Sequence, residues 1–135
     1  MTHAVMTDVA GMSEVPSLEG RTFAVVAEVA GGEVGPDTIF LYREASGAIW
    51  ASYAGGTVEL GFLVGTRRGN RLRFRYSQLN DAGETANGRC ESTLSLLPDG
   101  RLRMDESWVW ESRDGAGTSA VEEVPRSRAT LLAAV

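Results

Sequence analysis

The sequence lacks most of the residues on which familiar enzyme chemistries depend. Its 135 residues include no lysine, one cysteine (Cys90) and one histidine (His3). Without lysine there is no Schiff-base or lysine-base mechanism. A single cysteine forms no intrachain disulfide, and with one remote histidine it cannot supply the ligands of a zinc site. We therefore expect no metal, no cofactor and a reducing, cytoplasmic environment.

The sequence also lacks an excess of positive charge and any long hydrophobic run. The net charge is -5, whereas binding to phosphate backbones depends on an excess of lysine and arginine. No apolar segment has the length of a membrane span, and residues 1–18 do not have the pattern of a signal peptide. No phosphate-binding loop or dinucleotide fingerprint is present. We expect neither a nucleic-acid partner nor a membrane partner.

What the sequence does contain is a regular alternation of strands and turns. Turn signals recur roughly every 8–12 residues, as in all-β proteins. They separate predicted strands near 21–29, 37–44, 48–54, 57–66, 70–80, 84–96, 101–112 and 117–124. Eight strands joined by short loops favour an all-β, antiparallel, up-and-down barrel over a sandwich, because closure removes exposed strand edges. We predict a flexible leader or lid over 1–18, the barrel domain over 19–125 and a C-terminal tail over 126–135.

The turns predict which side chains face the barrel interior. Ala45-Ser46-Gly47, Asp81-Ala82-Gly83 and Pro98-Asp99-Gly100 have the composition of three-residue hairpin loops. Residues directly opposed across such a hairpin share one face of the sheet. The inward pairs are then Tyr42 with Trp50, Phe40 with Ser52, Gln78 with Ala86, Tyr76 with Gly88, Phe74 with Cys90, Leu96 with Leu102, Leu94 with Met104, Ser92 with Glu106, and Cys90 with Trp108.

The last hairpin has a longer loop and a less certain register. The register that keeps Val121 inward places Ser119 opposite Trp110, Val121 opposite Trp108, and Glu123 opposite Glu106. A slip of one residue would turn Glu122 inward instead.

Several stretches are similar to those of a known group of proteins. They cover residues 38–42, 49–56, 88–92, 99–102, 106–110 and 121–123. The chain resembles small bacterial proteins often labelled N-acetylglutamate synthase, which implies a calycin-like or lipocalin-like barrel over residues 21–124. Many of these relatives carry histidine at the position of Gln78. We do not expect an acetyl-CoA-dependent acetyltransferase, because that chemistry uses an α/β fold whose pyrophosphate loop opens a helix.

Two carboxyl groups and a tyrosine are the candidate catalytic residues. Glu106 and Glu123, both predicted inward beside Tyr76, would be desolvated and would repel each other, so one would keep its proton near neutral pH. That property suits a general acid or base. The alternative is that Glu106 is solvated at the barrel mouth. The candidate ligand-binding residues are Phe40, Tyr42, Trp50, Ser52, Phe74, Gln78, Cys90, Ser92, Trp108 and Trp110.

Three functions fit this pattern. The first is a cofactor-free isomerase or cyclase that acts on an apolar or amphipathic unsaturated molecule inside the lumen, with a carboxyl group as acid or base. The second is a non-catalytic binding protein or carrier for a small amphipathic ligand. The third is a filled barrel that serves only as an oligomerising unit. We favour the enzyme narrowly, and a homodimer is left open.

Overall fold

The computed structural model describes residues 15–28 and 31–125, which form eight strands. The strands are β1 (Thr22–Glu28), β2 (Ile39–Ala45), β3 (Ala48–Gly55), β4 (Val58–Arg68), β5 (Arg71–Asn80), β6 (Thr85–Leu96), β7 (Leu102–Trp110) and β8 (Ala116–Glu123). Each strand pairs antiparallel with the next, and β8 pairs with β1, so the barrel is closed. The predicted all-β, eight-stranded, up-and-down barrel is confirmed.

The predicted terminal segments fall mostly outside this description. Residues 1–14 of the predicted leader or lid and residues 126–135 of the predicted tail lie outside the described residues. The division of the chain at 18 and 125 therefore stays a prediction. Within residues 15–28 and 31–125 there is no helix, and so none that is long and apolar enough to cross a membrane.

One end of the barrel is closed by apolar packing. Leu18 precedes β1 and is fully buried, and its amide donates a hydrogen bond to the Glu44 carboxylate at the end of β2. The Arg67 guanidinium donates hydrogen bonds to the carbonyl oxygens of Val15 and Pro16, and it pairs with Glu44 at 2.9 Å. This arginine therefore holds residues 15–18 against the barrel. The inward side chains at or near this end are Phe23, Ile49, Leu72, Leu94, Leu102 and Met104.

The hairpins that join β5, β6 and β7 have the predicted registers. Phe74 lies opposite Cys90, and Ser92 lies opposite Glu106. The loops end at Gly83 and Gly100, whose φ angles of 79° and 91° are in the region that glycine tolerates. The turn composition therefore predicted correctly which side chains of these strands face inward.

The β2–β3 register differs from the prediction by one residue. Ala45 pairs directly with Ala48, so the loop has two residues, Ser46 and Gly47, with φ angles of 51° and 80°. Positive φ at both loop residues is the signature of a type I′ turn. Because side chains alternate along a strand, the slip turns Trp50 and Ser52 to the outside. Their predicted inward orientation is wrong.

The β7–β8 register also differs from the prediction. The loop is tighter than expected, since Trp110 donates its amide hydrogen to the Gly115 carbonyl oxygen. Glu106 therefore lies opposite Ser119, rather than opposite Glu123. Glu123 lies at the closed end, where it pairs with Arg21 at 2.8 Å and accepts a hydrogen bond from the Leu102 amide. The predicted pair of inward carboxyl groups is wrong.

Candidate ligand-binding lumen

The end of the barrel opposite Leu18 contains a cavity that is open at the mouth. The cavity has a volume of about 50 Å³, which is room for a few water molecules, and larger groups would extend into the open mouth. Eight of the predicted site residues line it: Phe40, Phe74, Tyr76, Gln78, Cys90, Glu106, Trp108 and Trp110. Tyr42 and Ser92 are buried in the adjoining core, while Trp50, Ser52 and Glu123 are remote from the lumen.

Six aromatic rings line the wall. Trp108 and Trp110 meet edge to face with centroids 5.8 Å apart, and Tyr76 meets Trp110 in the same way at 5.7 Å. Phe40 and Tyr53 stack on the other side at 4.6 Å. Such contacts fix the ring orientations, so the cavity has a defined shape.

Glu106 is the carboxyl group set into this wall. Ser119 donates a hydrogen bond of 2.8 Å to its Oε1 atom from the neighbouring strand β8. Burial raises the pKa of Glu106 to about 7, while the Ser119 and Ser92 hydroxyl groups act in the opposite direction. Among the described residues no arginine forms an ion pair with it. The group can therefore hold or release a proton near neutral pH.

The other ionisable groups beside the lumen stay protonated. Burial raises the pKa of the Cys90 thiol and of the Tyr76 hydroxyl well above their ordinary values. Cys90 is therefore not an activated nucleophile, and Tyr76 is suited to donate a hydrogen bond rather than to accept a proton. The Tyr42 hydroxyl is also buried, and it has no hydrogen-bond partner among the described residues.

The β1–β2 loop is fastened across part of the mouth by Glu33. The Gln78 and Asn80 side-chain amides donate hydrogen bonds to the two Glu33 carboxylate oxygens at 2.8 and 3.0 Å. The Trp110 indole N–H donates to the Gly31 carbonyl oxygen, and the Arg113 guanidinium lies 4.2 Å from the Trp110 ring centroid. Glu33, a loop residue, therefore accepts the hydrogen bonds of the polar side chains at the mouth.

Sequence reasoning missed five lining side chains: Tyr53, Leu63, Ser119, Glu33 and Val34. Tyr53 and Leu63 belong to strands whose inward face was assigned wrongly or not assigned, and Ser119 was placed opposite Trp110. Glu33 follows two glycines in a loop without periodicity, so no pattern marked it. The Ser46-Gly47 dipeptide was the signal that could have identified Tyr53, because it also fits a two-residue hairpin loop.

The described residues contain no group of three His, Cys, Asp or Glu side chains that could hold a metal ion. A sequence profile described as avidin-like protein matches residues 16–124 of the chain. The chain belongs to the avidin-like family. No curated protein and no solved structure matches it. Membership in the avidin-like family supports the calycin-like resemblance and indicates small-molecule binding, and it does not bear on the synthesis of N-acetylglutamate.

Proposed function

We propose that this avidin-like barrel binds a small apolar or amphipathic molecule in its lumen. The observation that carries the proposal is the aromatic cavity with the Glu106 carboxyl group set into its inner wall. Ligand sites are typically concave and apolar, with a few polar groups that orient the ligand. The closed floor at Leu18 leaves the β1–β2 end as the entrance. Binding in a reducing cytoplasm stays a prediction.

A cofactor-free isomerase or cyclase is the finer proposal. It is supported by Glu106, whose pKa of about 7 lets one group accept and return a proton at neutral pH. The carboxylate would remove a proton from carbon beside a carbonyl group of an unsaturated substrate and return it at another carbon. The Tyr76 hydroxyl would donate a hydrogen bond to the carbonyl oxygen, and the rings would hold the reactive conformer. A non-catalytic carrier would use the same contacts without turnover.

Tryptophan fluorescence tests the binding proposal directly. Trp50 lies outside the barrel, so Trp50→Phe leaves Trp108 and Trp110 as reporters of the lumen. We expect saturable quenching of this variant by members of a panel of small unsaturated ketones, alcohols and carboxylic acids. Cys90→Leu, which fills the cavity, should abolish the quenching, whereas Cys90→Ala should retain it. Equal responses in both Cys90 variants would place the binding elsewhere.

Glu106→Gln separates the enzyme from the carrier. The amide keeps the shape of the side chain and can still accept the Ser119 hydrogen bond, but it cannot exchange a proton. An enzyme should lose turnover in product analysis while its affinity for a neutral ligand changes little. Product formation that survives in Glu106→Gln would argue against this acid–base role.

A further inference from the structure

Within residues 15–28 and 31–125, no cation pairs with the Glu106 carboxyl group in the lumen. Arg113 lies at the mouth, where it stacks on Trp110 and approaches Glu33 at 3.9 Å. Glu106 lies deeper and receives hydrogen bonds only from serine hydroxyl groups, among the residues described. A desolvated carboxylate without a counter-charge is unfavourable, and a bound cation would remove that penalty.

The surrounding rings also favour a cation. Phe74, Tyr76, Trp108 and Trp110 line the same cavity as Glu106, and their π faces carry partial negative charge. One of these rings already contacts a cation at the mouth, where the Arg113 guanidinium lies 4.2 Å from the Trp110 ring centroid. Aromatic cages recognise organic ammonium ions, and here Glu106 adds an acidic group at the inner wall.

The remaining polar groups do not favour an anion. The Gln78 side-chain amide accepts a hydrogen bond from the Tyr53 hydroxyl group and donates one to Glu33. The Trp110 indole N–H already donates to the Gly31 carbonyl oxygen. The lining residues include no lysine or arginine, so a carboxylate or phosphate ligand would meet Glu106 without compensation. A neutral ligand would leave the ionised form of Glu106 without a counter-charge.

We propose that the ligand of the lumen is a small amphipathic amine, whose protonated nitrogen pairs with Glu106 and whose apolar part lies against the Tyr76, Trp108 and Trp110 rings. The inference rests on the proposed binding function and does not require catalysis. The cavity of about 50 Å³ takes a short chain, and a ring would extend from it into the open mouth. A monoamine fits, because Glu106 is the one acidic side chain that the described part of the chain places in the inner lumen, while Glu33 is held at the mouth.

Three probes of nearly equal shape test the charge preference. Benzylamine is a cation, benzyl alcohol is neutral and benzoate is an anion at pH 8. We titrate each into the Trp50→Phe protein and measure the dissociation constant by fluorescence and calorimetry. We expect benzylamine to bind at least tenfold more tightly than benzyl alcohol, and benzoate to bind most weakly.

Two variants assign that preference to Glu106. Glu106→Gln should bring the benzylamine affinity to that of benzyl alcohol, and it should leave the benzyl alcohol affinity almost unchanged. Asp105→Asn is the matched control, because Asp105 is the adjacent carboxylate on β7 but points outward and pairs with Arg103. It should keep the tenfold preference. A preference that survives in Glu106→Gln would overturn the inference.

The outcomes separate the amine inference from the binding function. Equal affinity for benzylamine and benzyl alcohol would refute the amine while the lumen remained a small-molecule site. Stronger binding of benzoate would point to the opposite charge and would also refute the amine. Failure of all three probes to bind would count against the proposed binding function itself.

Discussion

Ser119 and Glu106 face each other directly across the β7–β8 pair, and the serine hydroxyl donates a 2.8 Å hydrogen bond to the carboxyl group. The bond joins two strands at the inner wall of the barrel, where burial otherwise opposes ionisation of Glu106. Protein stability is therefore linked to the protonation state of this one side chain.

The first prediction concerns the pH dependence of stability. The pKa of Glu106 is raised from 4.5 to about 7, so between these values the folded protein binds the proton more tightly than the unfolded chain. The contribution is fully present below pH 4.5 and is lost as the pH rises through 7. Its full size is up to about 3 kcal/mol. Urea unfolding at pH 5 and pH 8 should show Glu106→Gln gaining stability relative to the wild type at the higher pH.

A pH-independent difference between Glu106→Gln and the wild type would contradict this linkage. Other carboxyl groups do not obscure the contribution of Glu106, because their pH-dependent contributions to stability are the same in both proteins and cancel in the difference. Asp99 and Glu111, for example, have pKa values lowered by arginine neighbours and therefore lose their contribution at acidic pH in both proteins.

The second prediction concerns Ser119→Ala. The hydroxyl group lowers the pKa of Glu106 by hydrogen bonding to it, so its removal should raise that pKa further. Carbon-detected NMR titration of the glutamate carboxyl groups measures the midpoint. Thr118→Ala is the matched control, because Thr118 is the outward neighbour on β8. A midpoint that moves down, or moves equally in both variants, would show that the hydrogen bond does not set this pKa.

The third prediction concerns the loop at the mouth. Glu33→Ala removes the acceptor of two amide hydrogen bonds, from Gln78 and Asn80, and should reduce the free energy of unfolding by about 2 kcal/mol. Amide hydrogen exchange over residues 31–38 should become faster, and ligand dissociation should accelerate with it. Asp37→Ala, at an exposed site in the same loop, should change neither rate. Equal exchange in both variants would mean that Glu33 does not fasten the loop.

The sequence predicted the barrel and most of its inner face, because strand alternation and glycine-containing turns are local signals. The loops at Gly83 and Gly100 set the registers of β5, β6 and β7, and the lumen residues on these strands follow from them. Ala45-Ser46-Gly47 fits both a two-residue and a three-residue loop, and composition alone does not choose between them. The structure shows the shorter loop, which moves Trp50 outside and Tyr53 inside.

The error at Glu123 has a different origin. Two registers of β7–β8 keep Val121 inward, and they differ by the length of the loop after Trp110. Pairing with Arg21, which is distant in sequence, holds Glu123 at the closed end. Glu33 likewise reaches the lumen through hydrogen bonds with Gln78 and Asn80 on β5. Such long-range contacts leave no periodic pattern in the sequence.

The fourth prediction concerns close packing at Gly88. A Cβ atom there would overlap the carbonyl oxygen of Val109 and the hydroxyl group of Tyr76. The carbonyl is part of the sheet and cannot move away freely, so Gly88→Ala should destabilise the protein by about 2–3 kcal/mol. Gly35→Ala is the control, because a Cβ atom there meets open space. Thermal unfolding compares them, and equal midpoints would contradict the expected overlap.

The fifth prediction concerns the outer face of β3 and β4. Trp50 lies directly opposite Val64 on this face, and Phe62 and Val64 are 56% and 64% exposed. Contiguous apolar surface of this kind typically marks an interface, and two copies can bury the same patch around a twofold axis. We expect a homodimer in light scattering that Phe62→Arg dissociates and Ser107→Arg, on the outer face of β7, does not. A monomeric wild type at micromolar concentration would refute the dimer and leave this face open to another partner.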